Sequence, residues 1–257
     1  MSTLEEGTLR PPASADVLSV AAAELAGAGP EEILSWAFER FDRVALVSSF
    51  QAESIVLIDI ASRLRPGVEV ITLDTGRLPE ETHALIDAVG KRFPIRLRVI
   101  TPDPGEIESM VAAHGVSLFR RSPELRHLCC AVRKTRPLIA GLRDYDAWVT
   151  GLRRGQSASR QTTPVVARDD LHGGIAKIAP LAAWSHDDVW RHLRSRDLPV
   201  HELYARGYTS IGCAPCTRAT RPGEDERAGR WWWEDGSLKE CGLHVDRVSS
   251  PPREATG

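Results

Sequence analysis

Cysteine is scarce, with five in 257 residues. Four of the five fall in two close pairs, Cys129-Cys130 and Cys213-Ala214-Pro215-Cys216, and Cys241 stands alone near the end. Net charge is also nearly absent: 33 basic against 35 acidic residues leave −2. That balance gives no global attraction to nucleic acid or to a membrane surface. No apolar run approaches the roughly 18 residues of a membrane span. The first residues, MSTLEEGTLRPPASADV, are acidic and proline-rich with no apolar stretch, so no secretory leader is expected. A cytoplasmic, reducing setting follows as the default. There, paired cysteines read as metal-binding or catalytic rather than as structural disulfides. The glycines of the standard phosphate-binding fingerprints are missing as well.

What is present fits a globular protein with a real core: 42% hydrophobic and 26% charged residues. The length suits one α/β domain with additions or two small domains. Residues 1–15 read as a disordered leader. Helical patterns cover Asp16 to Leu25 and Pro30 to Phe41, where Ile33, Leu34, Ala37, Phe38 and Phe41 share one face. The short apolar run Val44–Val47 reads as a buried parallel strand, Val68–Leu73, Ile95–Ile100 and Asp146–Thr150 read as the second, third and fourth strands, and Ile175–Pro180 suggests a further one. Helical stretches Ile55–Leu64, Pro79–Arg92 and Pro104–His114 alternate with them, and another runs from Ala183 to Ser195. This alternation predicts a doubly wound, mostly parallel α/β sheet.

In such sheets ligands bind beyond the carboxyl ends of the strands. Three loops fall there. Ser48-Ser49-Phe50-Gln51-Ala52-Glu53-Ser54 joins a strand to a helix and could offer backbone N–H groups to an anion. Taken alone it favours an ordinary serine-capped turn, because it lacks the glycines of the standard phosphate fingerprints. Asp74-Thr75-Gly76-Arg77-Leu78 follows the second strand. Gly151-Leu152-Arg153-Arg154-Gly155-Gln156-Ser157-Ala158-Ser159-Arg160 follows the fourth, and its three arginines favour phosphate or sulfate oxygens.

The cysteines need their own account. Neighbouring Cys129 and Cys130 form a disulfide only with strain. They read either as two buried thiols or as ligands that both reach a bulky cluster. Arg133, Lys134 and Arg136 beside them are a solvated face or a cationic wall. The spacing of Cys213 and Cys216 is specific for metal or redox work. His186 and His192 read as capping or surface residues. Glu224, Asp225 and Glu226 interrupt Arg218, Arg221, Arg227 and Arg230, which argues against a nucleic-acid stripe. Trp231–Trp233 reads as a partner surface or a lid. Cys241 sits in Lys239-Glu240-Cys241-Gly242-Leu243-His244, a polar tail with no packing pattern. The arithmetic suggests four metal ligands and one nucleophile.

Together SSFQAES, LDTGRLPEET, CCAVRKTRPL, TGLRRGQSASR, IGCAPCTR and ERAGRWWWEDGSLKECGLH, in this order over residues 48–244, resemble the assimilatory sulfonucleotide reductases. The match is specifically to bacterial adenylyl-sulfate (APS) reductases that carry an iron–sulfur cluster. The resemblance implies a fold like that of the adenine nucleotide α-hydrolases and 3′-phosphoadenylyl-sulfate (PAPS) reductases. It implies one α/β domain over residues 16–235 and a mobile catalytic tail over 236–257. It implies a [4Fe–4S] cluster on Cys129, Cys130, Cys213 and Cys216, with Cys241 as the nucleophile. By matching position, Lys134, Arg227, Arg230 and His244 would hold the phosphosulfate, with Arg133 nearby. Ser48, Ser49, Phe50, Leu73, Thr75, Arg77, Gly151 and Arg160 would line the adenosine-phosphate pocket. The stretch after Gly155 is one residue shorter than the family pattern.

The implied activity is reduction of APS to sulfite and AMP through an S-sulfocysteine, in sulfate assimilation and cysteine biosynthesis. The implied partner is thioredoxin or a glutaredoxin-like reductant, with no nucleic acid and no membrane; a homo-oligomer is compatible with the pattern. PAPS, alone or beside APS, is the alternative substrate. A tRNA-thiolating adenylase would need a Gly-Gly pyrophosphate loop and a larger basic surface. A cluster-based redox sensor would leave Arg153–Arg160 and Cys241 without a task.

Overall fold

The computed structural model describes residues 14–234 and 242–243. Leader residues 1–13 and tail residues 235–241 and 244–257, with Cys241 and His244 among them, lie outside the described residues. The first helix, α1 (Ala15–Glu24), begins one residue before the sequence expectation because the Ser14 side chain accepts from the Val17 N–H and caps it.

The order continues α2 (Pro30–Arg40), β1 (Val44–Val47), α3 (Ala52–Leu64), β2 (Val68–Leu73), α4 (Glu80–Arg92), β3 (Ile95–Ile100) and α5 (Pro104–His114). Then come α6 (Pro123–Cys130), α7 (Arg136–Gly141), β4 (Ala147–Val149), β5 (Val166–Asp169), β6 (Ile175–Ile178) and α8 (His186–Ser195). The six strands form one sheet in the order β3-β2-β1-β4-β6-β5. All neighbours are parallel except the edge pair β5–β6, which is antiparallel. β5 was not expected: Val166–Asp169 is four residues with an exposed Arg168 and lacks the apolar run that marks the central strands.

Period-two alternation explains why both faces are covered. Val44 and Leu46 of β1, Val68 and Val70 of β2, and Ala147 and Val149 of β4 join the larger core. Ala45, Ile71 and Trp148 point the other way and pack with Leu138 of α7. Helix α3 is buried from Ala52 to Ser62, consistent with its near-continuous apolar sequence. Among the described residues, no helix is long and apolar enough to cross a membrane.

The chain runs from β1 outward through β2 and β3, then returns to lay β4 on the other side of β1. The connections therefore diverge between β1 and β4, and the crevice at their carboxyl ends is the topological switch point.

Candidate active site: a switch-point cleft beside a four-cysteine cavity

The loops after β1 and β4 meet at that switch point. They enclose a cleft of about 180 Å³ lined by Ser48, Ser49, Leu73, Thr75, Gly151 and Arg160, with Lys134, Arg227, Arg230 and Leu243 also on its wall. Of the expected adenosine-pocket residues, Phe50 and Arg77 are absent from this lining. Phe50 is fully buried in the core, and its backbone adopts a left-handed φ of 55°. Such a conformation costs a non-glycine residue about 1–2 kcal/mol. Its side chain packs in the core, and its backbone turns the chain at the edge of the cleft.

The loop after β1 behaves as the ordinary serine turn its sequence favoured when taken alone, not as a ring of open backbone donors. Ser48 N–H donates to Ile71 O, Ser49 N–H to Ser54 Oγ, Phe50 N–H to Ser48 Oγ and Ala52 N–H to Tyr204 Oη. The protein itself takes these groups, so Ser48 and Ser49 line the cleft as side chains on a stiff turn. Gly151 is required by proximity: a Cβ there would lie 2.9 Å from Glu53 Cβ.

The arginine-rich loop after β4 is also used differently from the expectation. Arg153 is 1% exposed, and its guanidinium donates to Glu53 at 2.7 Å and to Glu226 at 3.1 Å. Arg154 Nε donates to Thr163 O. Only Arg160 of the three reaches the cleft wall. A cationic sequence run thus contains one structural node, one loop clamp and one cleft residue.

Beyond the Lys134 and Arg230 end lies a second cavity, which those two residues also line. Cys129, Cys130, Cys213 and Cys216 surround it, together with Arg77, Arg126, Arg133, Phe119 and Trp231. Cys129 and Cys130 end α6. The next five residues, Ala131–Thr135, form a π-helical turn before α7. Pro137 lacks the N–H that an α-helix would return to Arg133, which favours this widened turn. The turn carries Arg133 to the cysteine cavity and Lys134 to both cavities. Arg133 Nη1 also donates to Thr75 O at 2.6 Å, and Thr75 Oγ1 lies 3.3 Å from Cys213 Sγ. Arg77 stacks on Phe119 at 4.9 Å, which turns it to the cysteine cavity and away from the cleft.

None of the four described cysteines is in a disulfide, and all four are buried. Burial pushes the Cys216 thiol up to about 11, aided by neighbouring Cys213, and burial also raises Cys129. Burial would raise Cys213 too, but Lys134, the Thr75 hydroxyl, Arg230 and Arg77 together hold it below the usual thiol range.

Among the described residues, no group of three or more His, Cys, Asp or Glu side chains is arranged to hold a metal ion. The donor set nevertheless fits a larger sulfide-bridged group. Four thiols face one cavity, and thiolates select zinc or iron–sulfur chemistry. Three buried N–H donors on its wall, Arg133 Nε, Arg230 Nε and Trp231 Nε1, have no hydrogen-bond partner. Sulfide or thiolate sulfur is the acceptor that this wall lacks.

The Trp231–Trp233 run divides. Trp231 is 1% exposed and lies between Arg126 and Arg230, whose guanidinium carbons sit 4.5 Å and 4.7 Å from its ring centroid. Trp233 packs on Phe119, and Trp232 stays partly exposed. Glu234, the last described residue before the gap, pairs with buried Arg126 through bonds of 2.6 Å and 2.9 Å. His192 is also no surface residue: its Nε2 pairs with buried Asp59 at 3.0 Å. His186 opens α8 and lies 4.0 Å from Glu226. Neither histidine faces the cysteines. Leu243 packs near Leu73 and Leu138 and lines the cleft.

A phosphoadenosine phosphosulfate reductase domain matches residues 43–219. The chain belongs to this reductase family. Two curated members named adenosine 5′-phosphosulfate reductase are similar. That of Burkholderia cepacia is 44% identical, covering 88% of this chain and 90% of its own. That of Sinorhizobium fredii is 47% identical, covering 81% and 82%. The phosphate complex of PAPS reductase from Candida auris has a TM-score of 0.69 at 26% identity, covering 81% of this chain and 98% of that one. The doubly wound fold expected from the strand–helix alternation is therefore also that of a solved member of the family.

Proposed function

We propose that this protein is an adenylyl-sulfate reductase of sulfate assimilation and cysteine biosynthesis. It reduces APS to sulfite and AMP with electrons from thioredoxin or a similar dithiol. The observation that carries this reading is the overlap of the nucleotide cleft and the cysteine cavity at Lys134 and Arg230, with Leu243 on the cleft wall. Cys241 is bonded to Gly242, the neighbour of Leu243, which supports its assignment as the nucleophile.

Ser48, Ser49, Leu73, Thr75 and Gly151 hold the adenosine end, and Arg160 its phosphate. Lys134, Arg227 and Arg230 hold the phosphosulfate, with His244 and Cys241 arriving from the tail. Phe50, Arg77 and Arg133 act from behind: Phe50 shapes the turn, while Arg77 and Arg133 set the cationic wall. Cys129, Cys130, Cys213 and Cys216 would hold a [4Fe–4S] cluster, which when bound supplies a fixed anionic body facing those cations.

The Cys241 thiolate attacks the sulfur of APS. An S–S bond forms, the S–O bond to AMP breaks, and AMP leaves with the electron pair. The cleft cations offset the repulsion between thiolate and substrate. A reductant thiolate then attacks Cys241 Sγ and sulfite departs; the second thiol of the reductant displaces Cys241 from the mixed disulfide. The dithiol is oxidised and the sulfate sulfur is reduced by two electrons. Such exchange needs a reducing compartment, so the proposed setting is cytoplasmic.

Mass spectrometry after incubation with APS tests the chemistry. A sulfite-equivalent gain on Cys241, absent in Cys241→Ser, is expected, with AMP binding retained in the variant. Full turnover by Cys241→Ser would overturn the mechanism. Steady-state rates with APS and PAPS decide between the two nucleotides.

A further inference from the structure

We infer that Arg153 is a positioning residue: it makes no substrate contact and fixes the relative placement of Arg160 and Arg227 in the cleft. This rests on the nucleotide-binding reading of the cleft above. Arg153 is 1% exposed and is absent from the cleft lining, whereas Glu53, Gln156, Arg160, Glu226 and Arg227 all line it. Its Nε donates to Glu53 Oε1 at 2.7 Å, and its Nη2 reaches both Glu226 oxygens at 3.3 Å and 3.1 Å. The same Glu53 oxygen accepts from Gln156 Nε2 at 3.0 Å, and Gln156 Oε1 accepts from Arg160 Nη1 at 2.6 Å and from Arg153 N–H at 3.1 Å.

One guanidinium therefore ties together three separate parts of the chain. Glu53 belongs to the first turn of α3. Gln156 and Arg160 belong to the loop after β4. Glu226 precedes Arg227 directly in sequence, so fixing Glu226 fixes the backbone that carries Arg227. A planar fork can serve two carboxylates in set directions; an ammonium cannot. Two carboxylates share one guanidinium, so the trio carries a surplus negative charge beside a cleft meant for an anion. That surplus opposes anion binding, whereas a single carboxylate would have neutralised Arg153. Geometry is what the second carboxylate adds.

This makes the sign of one substitution informative. If the trio acted only through charge, Glu226→Leu would tighten binding of an anionic nucleotide by removing a negative charge. Positioning requires the opposite. The probe is AMP, titrated into the cluster-loaded full-length protein, with melting temperature recorded in parallel. Arg153→Lys and Glu226→Leu are each expected to weaken AMP binding about tenfold, a loss typical of disturbed buried charge-assisted hydrogen bonds. KM for APS should rise more than kcat falls. Arg160→Lys should cost less in the Arg153→Lys background than alone, because the contact it perturbs is already displaced. Wild-type AMP affinity in Arg153→Lys, tighter binding in Glu226→Leu, or strict additivity with Arg160→Lys would each overturn the inference. Should Arg153→Lys not fold, Glu226→Leu, which leaves the Glu53 pair in place, decides alone. AMP binding does not use Cys241, so failure here leaves adduct formation intact. Failure of wild-type protein to bind AMP would instead defeat the functional reading.

Discussion

Replacing Gly212 with alanine is a sharp test of how the cleft is built. Gly212 precedes the first cysteine of the second pair, and its φ lies outside the left-handed region, so alanine is compatible with the backbone there. The obstacle is the Arg230 guanidinium, which lies where the added Cβ would go. Arg230 is 5% exposed, stacks on Trp231, and reaches Ser210 Oγ and Ile211 O only through long contacts of 3.5 Å and 3.4 Å. Restoring normal contact at about 3.5 Å moves the guanidinium by roughly 1 Å. Because a side-chain end moves and not the backbone, the overpacking cost falls near the low end, about 1 kcal/mol. The lower entropy of the unfolded alanine chain offsets about half of that. The melting temperature should therefore fall by no more than about 4 °C. Activity should respond far more: a 1 Å displacement of a positioned group costs on the order of 100-fold, or about 2.7 kcal/mol of transition-state stabilisation. The assay is APS-dependent sulfite release with thioredoxin, alongside thermal melting and iron content. A kcat/KM within about threefold of wild type, at unchanged iron content, would refute the argument that Arg230 needs the space Gly212 leaves.

Four further outcomes are expected. Glu234→Leu removes the two-bond carboxylate partner of buried Arg126 and should cost about 3 kcal/mol, whereas Arg126→Met with Glu234→Leu should recover most of it; denaturant unfolding of the two variants measures the difference. Gly151→Ala pushes the loop after β4 away from α3 and should weaken AMP binding about tenfold, a loss comparable to 1–3 kcal/mol of overpacking; calorimetric titration reads it. Cys213→Ser should lose iron and the visible absorbance of a cluster together, while stoichiometric zinc in wild-type protein would defeat the cluster assignment. Asp188 is held at about 2 by the Ser185 hydroxyl, with the Ser185 backbone and Arg191 assisting. Its folded value lies below the unfolded one near 3.9, so its stabilisation is present above about pH 4 and is lost as pH falls toward 2. Asp188→Asn should thus lower the melting temperature at neutral pH, and the difference should vanish in acid.

Much of the architecture was legible because parallel strands leave a plain mark. Val44–Val47 is a continuous apolar run and Val68–Leu73 a largely apolar one, and their alternation with helical patterns predicts a doubly wound sheet. The β5 strand escaped because an antiparallel edge needs no apolar run. Loop function was harder to read. Three arginines after β4 looked alike in sequence, and only the packing of α3 and the 226–230 segment separates Arg153 from Arg160. The serine loop after β1 was readable as a serine-capped turn, but it gave no sign that Tyr204 and Ile71, distant in sequence, would bond to it as well.

Residue type and local spacing, which sequence alone carries, determined the chemistry available to this protein: two thiol pairs, one lone cysteine, basic loops and a parallel sheet. Tertiary structure decided which groups share a space. Hydrogen-bond partners and burial depend on residues distant in sequence, such as Glu53 with Arg153, Arg126 with Glu234, and Gly212 with Arg230. These contacts turn a run of cations into one cleft wall and one hidden node. They also set the cysteine cavity against the switch-point cleft, with Lys134 and Arg230 lining both.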